Sequence, residues 1–132
     1  AHRALAEAAR AADPDALSRE FFDLFVGVGR GELLPYASYY LTGFLNERPL
    51  ARVREDMAAI GIERSDGVGE PEDHIAILFD TMATLAGGRV PAEPGADARF
   101  FERHLAPWAE RFLADLEAAN AARFYRPVAA LG

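Results

Sequence analysis

Residues 70–88 read EPEDHIAILFDTMATLAGG and contain signals for the start, the inner face and the end of one helix. Pro71 suits the first turn of a helix, because its φ is already helical and its missing N–H would have no partner there. Gly87 and Gly88 mark the end. Between them, apolar residues recur at spacings of three and four, which predicts a buried helix face: Ile75, Leu78, Met82 and Leu85.

The same helical signals recur on both sides of this stretch. Asp13 followed by Pro14 predicts a helix that runs to a glycine-rich segment, and Pro49 predicts another that ends at Gly61. Beyond Pro107 the apolar spacing predicts a helical hairpin or a kinked helix. The predicted buried faces are Leu17, Phe21, Leu24, Phe25 and Val28; Leu50, Val53, Met57 and Ile60; and Trp108, Phe112 and Leu116.

Composition agrees with a helical chain. Ala supplies 27 of the 132 residues, whereas Val, Ile and Thr together supply 13, a balance that favours helix over strand. The uncharged aromatic segment 33–45 is predicted to be a further buried helix with Ser38 as its N-cap. We therefore predict an all-α fold, a single compact helical bundle over residues 1–132 with no internal repeat and no second domain.

Charge and composition exclude several classes of function. The chain carries 21 acidic and 14 basic residues, all of the latter Arg, for a net charge of −7. Nucleic acid is not a predicted partner, because phosphate binding needs a basic face, whereas an acidic field attracts cationic peptides. The absence of cysteine excludes disulfides and thiolate metal sites. The longest uncharged segment, 33–46, is shorter than the roughly 20 apolar residues that a membrane span requires.

Three patterns in the sequence bear on catalysis or ligand binding. The glycine run at 27–31 lacks the preceding strand and the following Gly-Lys-Ser/Thr of nucleotide loops, which favours a helix terminator. Ser38 lacks the surroundings of a hydrolase nucleophile that would use His74 as its base. Asp73 and His74 are neighbours that point apart on a helix, which disfavours a metal site. We predict no enzyme activity, no metal and no cofactor.

The segment 70–74 places three carboxylates and an imidazole at a predicted helix start, where acidic groups interact favourably with exposed N–H groups. Helix capping explains this pattern, and so does recognition of a cationic ligand, because guanidinium groups pair with carboxylates in charge-assisted hydrogen bonds. The residues alone leave both interpretations open. An aromatic cluster either lines a groove for an apolar peptide or packs in the core: Phe21, Phe22, Phe25, Tyr36, Tyr39, Tyr40 and Phe44.

Four spaced motifs occur in order: Phe21-x-x-Leu24-Phe25-x-Gly27, Pro35-x-x-Ser38-x-Tyr40, Glu70-Pro71-x-Asp73-His74 and Phe101-x-x-His104-Leu105-x-x-Trp108-x-x-x-Phe112. Over residues 21–125 the chain resembles the TorD/DmsD/NarJ family of cytoplasmic redox-enzyme maturation chaperones. The resemblance implies an all-helical, TorD-like chaperone that binds the precursor of a molybdenum-containing oxidoreductase. Such chaperones typically bind the twin-arginine signal peptide and hold back export until the cofactor is inserted. The alternative is a generic helical interaction or oligomerisation module.

The resemblance also implies a binding site. Glu70, Pro71, Asp73 and His74 match the family's hinge motif, whose Asp and His are implicated in signal-peptide binding. Asp73 is expected to pair with an Arg of the peptide, and His74 to form a hydrogen bond nearby. Three aromatic residues are further groove candidates, from their bulk and their proximity to the motifs: Tyr36, Tyr40 and Phe79.

Two departures from the family pattern concern the ends of the chain. Family members carry further helices before the Phe21 motif, whereas here only the Ala-rich residues 1–20 precede it, so part of the binding surface is expected to lie outside this sequence. The last apolar segment stops at Gly132. A fragment of a longer protein and a homodimer that exchanges helices are both open interpretations.

Overall fold

The computed structural model describes all 132 residues and contains eight α-helices and no strand. The helices are α1 (His2–Ala11), α2 (Pro14–Phe21), α3 (Ala37–Thr42), α4 (Arg48–Ala59), α5 (Ile75–Ala86), α6 (Ala96–His104), α7 (Ala109–Ala118) and α8 (Tyr125–Ala129). A π-helical segment, Phe22–Val26, continues α2. None of the helices has both the length and the apolar character that crossing a bilayer requires. The predicted all-α fold is confirmed.

The chain divides into two compact units. Unit 1 comprises Ala1–Leu34 and Glu110–Gly132, and in it α1 packs against α8. Unit 2 comprises Pro35–Ala109, and in it α4 packs against α3 and α6 while α5 packs against α6. Buried apolar residues of unit 1 include Leu24, Phe112, Leu116 and Ala122, and those of unit 2 include Leu50, Val53, Met57, Leu78, Phe100, Leu105 and Trp108.

The start and the end of the helix after residue 13 follow the sequence signals. The Asp13 carboxylate accepts a hydrogen bond from the Ala16 N–H at 2.9 Å, and Pro14 occupies the first turn. The π-helical segment ends at Gly27, whose φ of 62° and ψ of 179° form a conformation that only glycine adopts readily. A Cβ at Gly27 would also lie 1.9 Å from the Arg30 carbonyl oxygen. The glycine run therefore terminates a helix, as predicted.

The predicted buried face of this helix is partly wrong. Leu24 is fully buried, but the side chain of Phe21 is 47% exposed. Val28 is 97% exposed because it lies beyond Gly27, where the helical periodicity no longer applies. The segment 33–45 is likewise only partly buried, since Phe44 at its end is 69% exposed.

In unit 2 the predicted inner face of α4 is confirmed at Leu50, Val53 and Met57, whereas Ile60 lies just after the helix and is half-buried. Gly61 follows with a φ of 73°. The start of α5 was predicted four residues too early. Residues 71–74 form a turn in which the His74 N–H donates to the Pro71 carbonyl at 3.1 Å, and the helix begins at Ile75. Ser38 is not an N-cap, because it lies inside α3, where its hydroxyl oxygen accepts a hydrogen bond from the Glu47 N–H at 3.2 Å.

Within unit 1, Glu32 holds the segment that follows α7. Its carboxylate oxygens accept hydrogen bonds from the backbone N–H groups of Ala121 at 3.0 Å and Asn120 at 2.6 Å. These two hydrogen bonds lower the pKa of Glu32 below its ordinary value of 4.5. The folded chain therefore binds a proton at Glu32 less readily than the unfolded chain does.

The stability of the chain should consequently fall at acid pH through Glu32. Because its folded pKa is lowered, the contribution of Glu32 is fully present above about pH 4.5 and is lost as the pH falls through the folded pKa. Urea unfolding of the wild type and of Glu32→Gln between pH 3 and pH 7 measures this effect. We expect a shallower acid decline in the variant, and parallel curves would contradict the assignment.

Candidate functional site

The candidate site lies in unit 2, where the segment before α3 meets the segment before α5. Tyr36 and His74 form an isolated antiparallel bridge. On either side of it, the Ala37 N–H donates to the Asp73 carbonyl at 3.0 Å and the Ile75 N–H donates to the carbonyl of Pro35 at 2.9 Å. We call residues 35–38 together with 70–75 the junction. Backbone pairing thus places side chains far apart in the sequence next to one another.

Asp73 lies beneath the surface of the junction, with its side chain 1% exposed. Its Oδ2 atom accepts a hydrogen bond from the Ser38 N–H at 2.8 Å. Because the residue at the N-cap of α3, Tyr36, provides no side-chain cap, Asp73 caps this helix from a distant position in the chain. The other carboxylate oxygen, Oδ1, is buried and has no hydrogen-bond partner.

His74 is half-buried and caps α5, since its Nδ1 atom accepts a hydrogen bond from the Ala76 N–H at 3.1 Å. A neutral ring that accepts at Nδ1 carries its proton on Nε2, which makes Nε2–H a donor. Burial lowers the pKa of His74, although the charges of Glu70 and Asp73 act in the opposite direction. The ring is therefore neutral at pH 7, and its centroid lies 5.1 Å from that of Tyr36 in an edge-to-face contact.

Tyr36 and Glu70 form the outer part of the junction. The Tyr36 hydroxyl donates a hydrogen bond to Oε2 of Glu70 at 2.5 Å. Burial, together with this carboxylate, raises the pKa of Tyr36, so its hydroxyl remains a donor at neutral pH. Glu70 itself is exposed, and its backbone carbonyl accepts a hydrogen bond from the Arg64 guanidinium at 3.1 Å. The junction thus presents a carboxylate whose orientation is fixed by a tyrosine.

Glu72 is already paired with arginines of this chain. Its carboxylate lies 2.8 Å from Nε of Arg54 and 4.0 Å from Nε of Arg64. Burial raises the pKa of Glu72, but a backbone hydrogen bond and the pairing with Arg54 outweigh burial and lower it overall. These arginines were missed at the level of sequence, because no local spacing connects Arg54 on α4 with a residue before α5.

A family model described as nitrate reductase delta subunit matches residues 1–114 of this chain. The chain belongs to this family. Among the curated relatives that carry the name chaperone protein TorD are proteins from three species. The Vibrio cholerae serotype O1 protein is 35% identical over 105 residues, which cover 73% of this chain and 48% of the relative. The Aliivibrio fischeri protein is 34% identical over 106 residues, which cover 73% of this chain and 49% of the relative.

The third relative, from Vibrio atlanticus, is 31% identical over 125 residues, which cover 87% of this chain and 58% of the relative. The chain thus spans about half the length of the curated relatives it matches. The resemblance drawn from the four motifs is confirmed, and the chain is a member of the nitrate reductase delta subunit family, the TorD/NarJ-type chaperones.

Seven residues are candidates for binding the signal peptide, and four of them belong to the hinge motif. The structure brings five of the seven together at the junction: Tyr36, Glu70, Pro71, Asp73 and His74. Tyr40 is in the core of unit 2, 7% exposed, with its ring centroid 5.3 Å from that of Trp108. Phe79 is 45% exposed on α5, on the same exposed face as Ala76, Asp80 and Ala83.

A second group of titratable residues lies between α4 and α6. Nε2 of the buried His104 lies 2.7 Å from Oδ2 of Asp56, and Arg103 pairs with the same carboxylate at 3.1 Å. Burial lowers the pKa of His104, although the Asp56 carboxylate opposes this effect. Asp56 and Arg103 border a cavity of about 470 Å³ that Phe100 and Ile60 also line. His104 of the fourth motif therefore connects two helices. No group of three or more His, Asp or Glu side chains has the arrangement of a metal site.

Proposed function

We propose that this chain acts as a cytoplasmic chaperone, not an enzyme, that binds the precursor of a molybdenum-containing oxidoreductase and holds it for cofactor insertion before export. The part of the precursor that the chain binds is its twin-arginine signal peptide. The family membership and the relatives named chaperone protein TorD support a chaperone role. The hinge motif, complete in this chain from Glu70 to His74, supports the choice of ligand.

The observation that carries this proposal is the exposed carboxylate of Glu70 beside the half-buried imidazole of His74. A twin-arginine peptide offers guanidinium groups, which form charge-assisted hydrogen bonds with a carboxylate. It also offers backbone carbonyl groups, which are acceptors for the Nε2–H of His74. The net charge of −7 favours approach of such a cationic segment over long distances.

The exposed face of α5 supplies an apolar surface for the remainder of the peptide. Phe79 is flanked by two small residues, one turn before and one turn after it along the helix: Ala76 and Ala83. A large exposed ring between small side chains makes a shallow apolar surface, of the kind on which the apolar part of a signal peptide packs. Since α5 follows the junction directly in the chain, a peptide bound at Glu70 and His74 would continue along this helix.

Calorimetric titration with a synthetic twin-arginine signal peptide tests the proposal. We expect a dissociation constant of micromolar order, which corresponds to a binding free energy of roughly −8 kcal/mol. Binding should be lost when both peptide arginines are replaced by glutamine. Affinity for the arginine peptide should also fall with added salt, because the contact is between exposed charges. Equal binding of both peptides would instead indicate the generic helical interaction module, and binding of neither would contradict the proposal.

A further inference from the structure

The four junction residues 70–73 include three carboxylates, those of Glu70, Glu72 and Asp73. The structure places each of them in a different environment. A peptide guanidinium needs a carboxylate with an accessible oxygen that no group of the protein already occupies. The three can therefore be compared by their exposure and by their existing partners. This comparison separates a residue that binds the peptide from one that only holds the site in shape.

Glu72 is the least suited of the three to bind a guanidinium from outside. Its side chain is 13% exposed, and Arg54 occupies Oε2 at 2.8 Å. Arg64 lies 4.0 Å from the other oxygen. A peptide arginine would have to displace a guanidinium of the chain itself, exchanging one such pair for another with little net gain.

Asp73 is excluded by burial rather than by charge pairing. One oxygen accepts the Ser38 N–H and the other is buried, so neither is within reach of a ligand at the surface. Pairing with a peptide arginine would require α3 to give up its cap and the junction to open. The expectation that Asp73 contacts an arginine directly does not fit this geometry.

Glu70 has the features that the other two carboxylates do not have. It is exposed, Oε2 is held by the Tyr36 hydroxyl, and Oε1 makes no hydrogen bond within the chain. We propose that Glu70 is the carboxylate that binds an arginine of the signal peptide, and that Asp73 is a positioning residue that holds α3 against the junction. The first half of this assignment rests on the proposed function.

Asp73 acts through the backbone of α3. By binding the Ser38 N–H it fixes the first turn of this helix, and Tyr36, the residue just before that turn, orients Glu70. Asparagine provides the same capping oxygen as aspartate without the charge, whereas alanine provides none. The pair of variants Asp73→Asn and Asp73→Ala therefore separates the cap from the charge.

The test measures peptide affinity for Glu70→Gln, Asp73→Asn and Asp73→Ala, with amide hydrogen exchange at Ser38 as the second measurement. We expect Glu70→Gln to weaken binding about tenfold, the value of one hydrogen bond to a charged group. Asp73→Ala should accelerate amide exchange at Ser38 and weaken peptide binding. Asp73→Asn should keep most of the wild-type protection at Ser38 and most of the wild-type affinity. Glu55→Gln is the matched control, because Glu55 is exposed on α4 with no hydrogen bond or ion pair, and it should bind as the wild type does.

Two results would overturn the assignment. One is a loss of affinity in Asp73→Asn as large as that in Glu70→Gln, which would show that the charged carboxylate of Asp73 binds the peptide arginine. The other is wild-type affinity in Glu70→Gln. Failure of the proposed function is distinguished by the wild type itself, which would then not discriminate between the arginine and glutamine peptides. The exchange rate at Ser38 reports on the capping by Asp73 in either case.

Discussion

Replacing Trp108 with alanine should lower the free energy of unfolding by about 4 kcal/mol, the range for truncating a large buried aromatic residue. Trp108 is 2% exposed, and its ring packs on that of Tyr40 in the core of unit 2. Its Nε1–H also donates to the His104 carbonyl at 2.7 Å, so the truncation leaves a buried acceptor unpaired. Urea unfolding followed by helical circular dichroism measures the effect.

Phe101 provides the matched control for this substitution. It belongs to the same sequence motif and is an aromatic residue on α6, but its side chain is 45% exposed. Phe101→Ala should therefore cost less than about 1 kcal/mol. Trp108→Phe should fall between the two, because it keeps most of the apolar volume and removes the Nε1–H donor. Similar losses for Trp108→Ala and Phe101→Ala would contradict the position of Trp108 in the core.

The helix boundaries that the sequence predicted correctly depend on local chemistry. The Asp13 carboxylate accepts a hydrogen bond from an N–H three residues away. Gly27 ends its helix because it adopts a backbone conformation that other residues adopt rarely. Such signals are contained within one turn of chain, so a single sequence reveals them. The start of α5 was predicted wrongly because the junction competes with it. The chain before Ile75 pairs with Pro35 and Ala37 instead of continuing the helix.

The site shows the same division between local and distant information. The order of the four motifs was sufficient to identify the family, and the hinge motif predicts a binding site at residues 70–74. Which carboxylate of that segment is accessible could not be predicted, because it depends on residues far along the chain. Ser38 takes one carboxylate as a helix cap, and Arg54 neutralises another. Only the folded chain places these partners beside residues 70–73.

Glu20→Ala is the second substitution with a large expected effect, a loss of about 3 kcal/mol of unfolding free energy. The Glu20 side chain is 9% exposed in unit 1, and its oxygens accept hydrogen bonds from three consecutive backbone N–H groups. These belong to Arg123 at 2.7 Å, Phe124 at 3.0 Å and Tyr125 at 2.9 Å, at the start of α8. Removing the carboxylate leaves partly buried donors without partners, and each costs free energy.

Urea unfolding of Glu20→Ala beside Glu7→Ala separates this effect from the loss of one negative charge. Glu7 is exposed on α1, so its replacement should change the unfolding free energy by less than about 0.5 kcal/mol. Glu20→Gln should lose much of the stability as well, because the amide keeps one acceptor oxygen and turns an N–H₂ group towards a backbone donor. If Glu20 instead contributed only charge, Glu20→Gln and Glu7→Ala would behave alike, and amide exchange at residues 123–125 would not change in either.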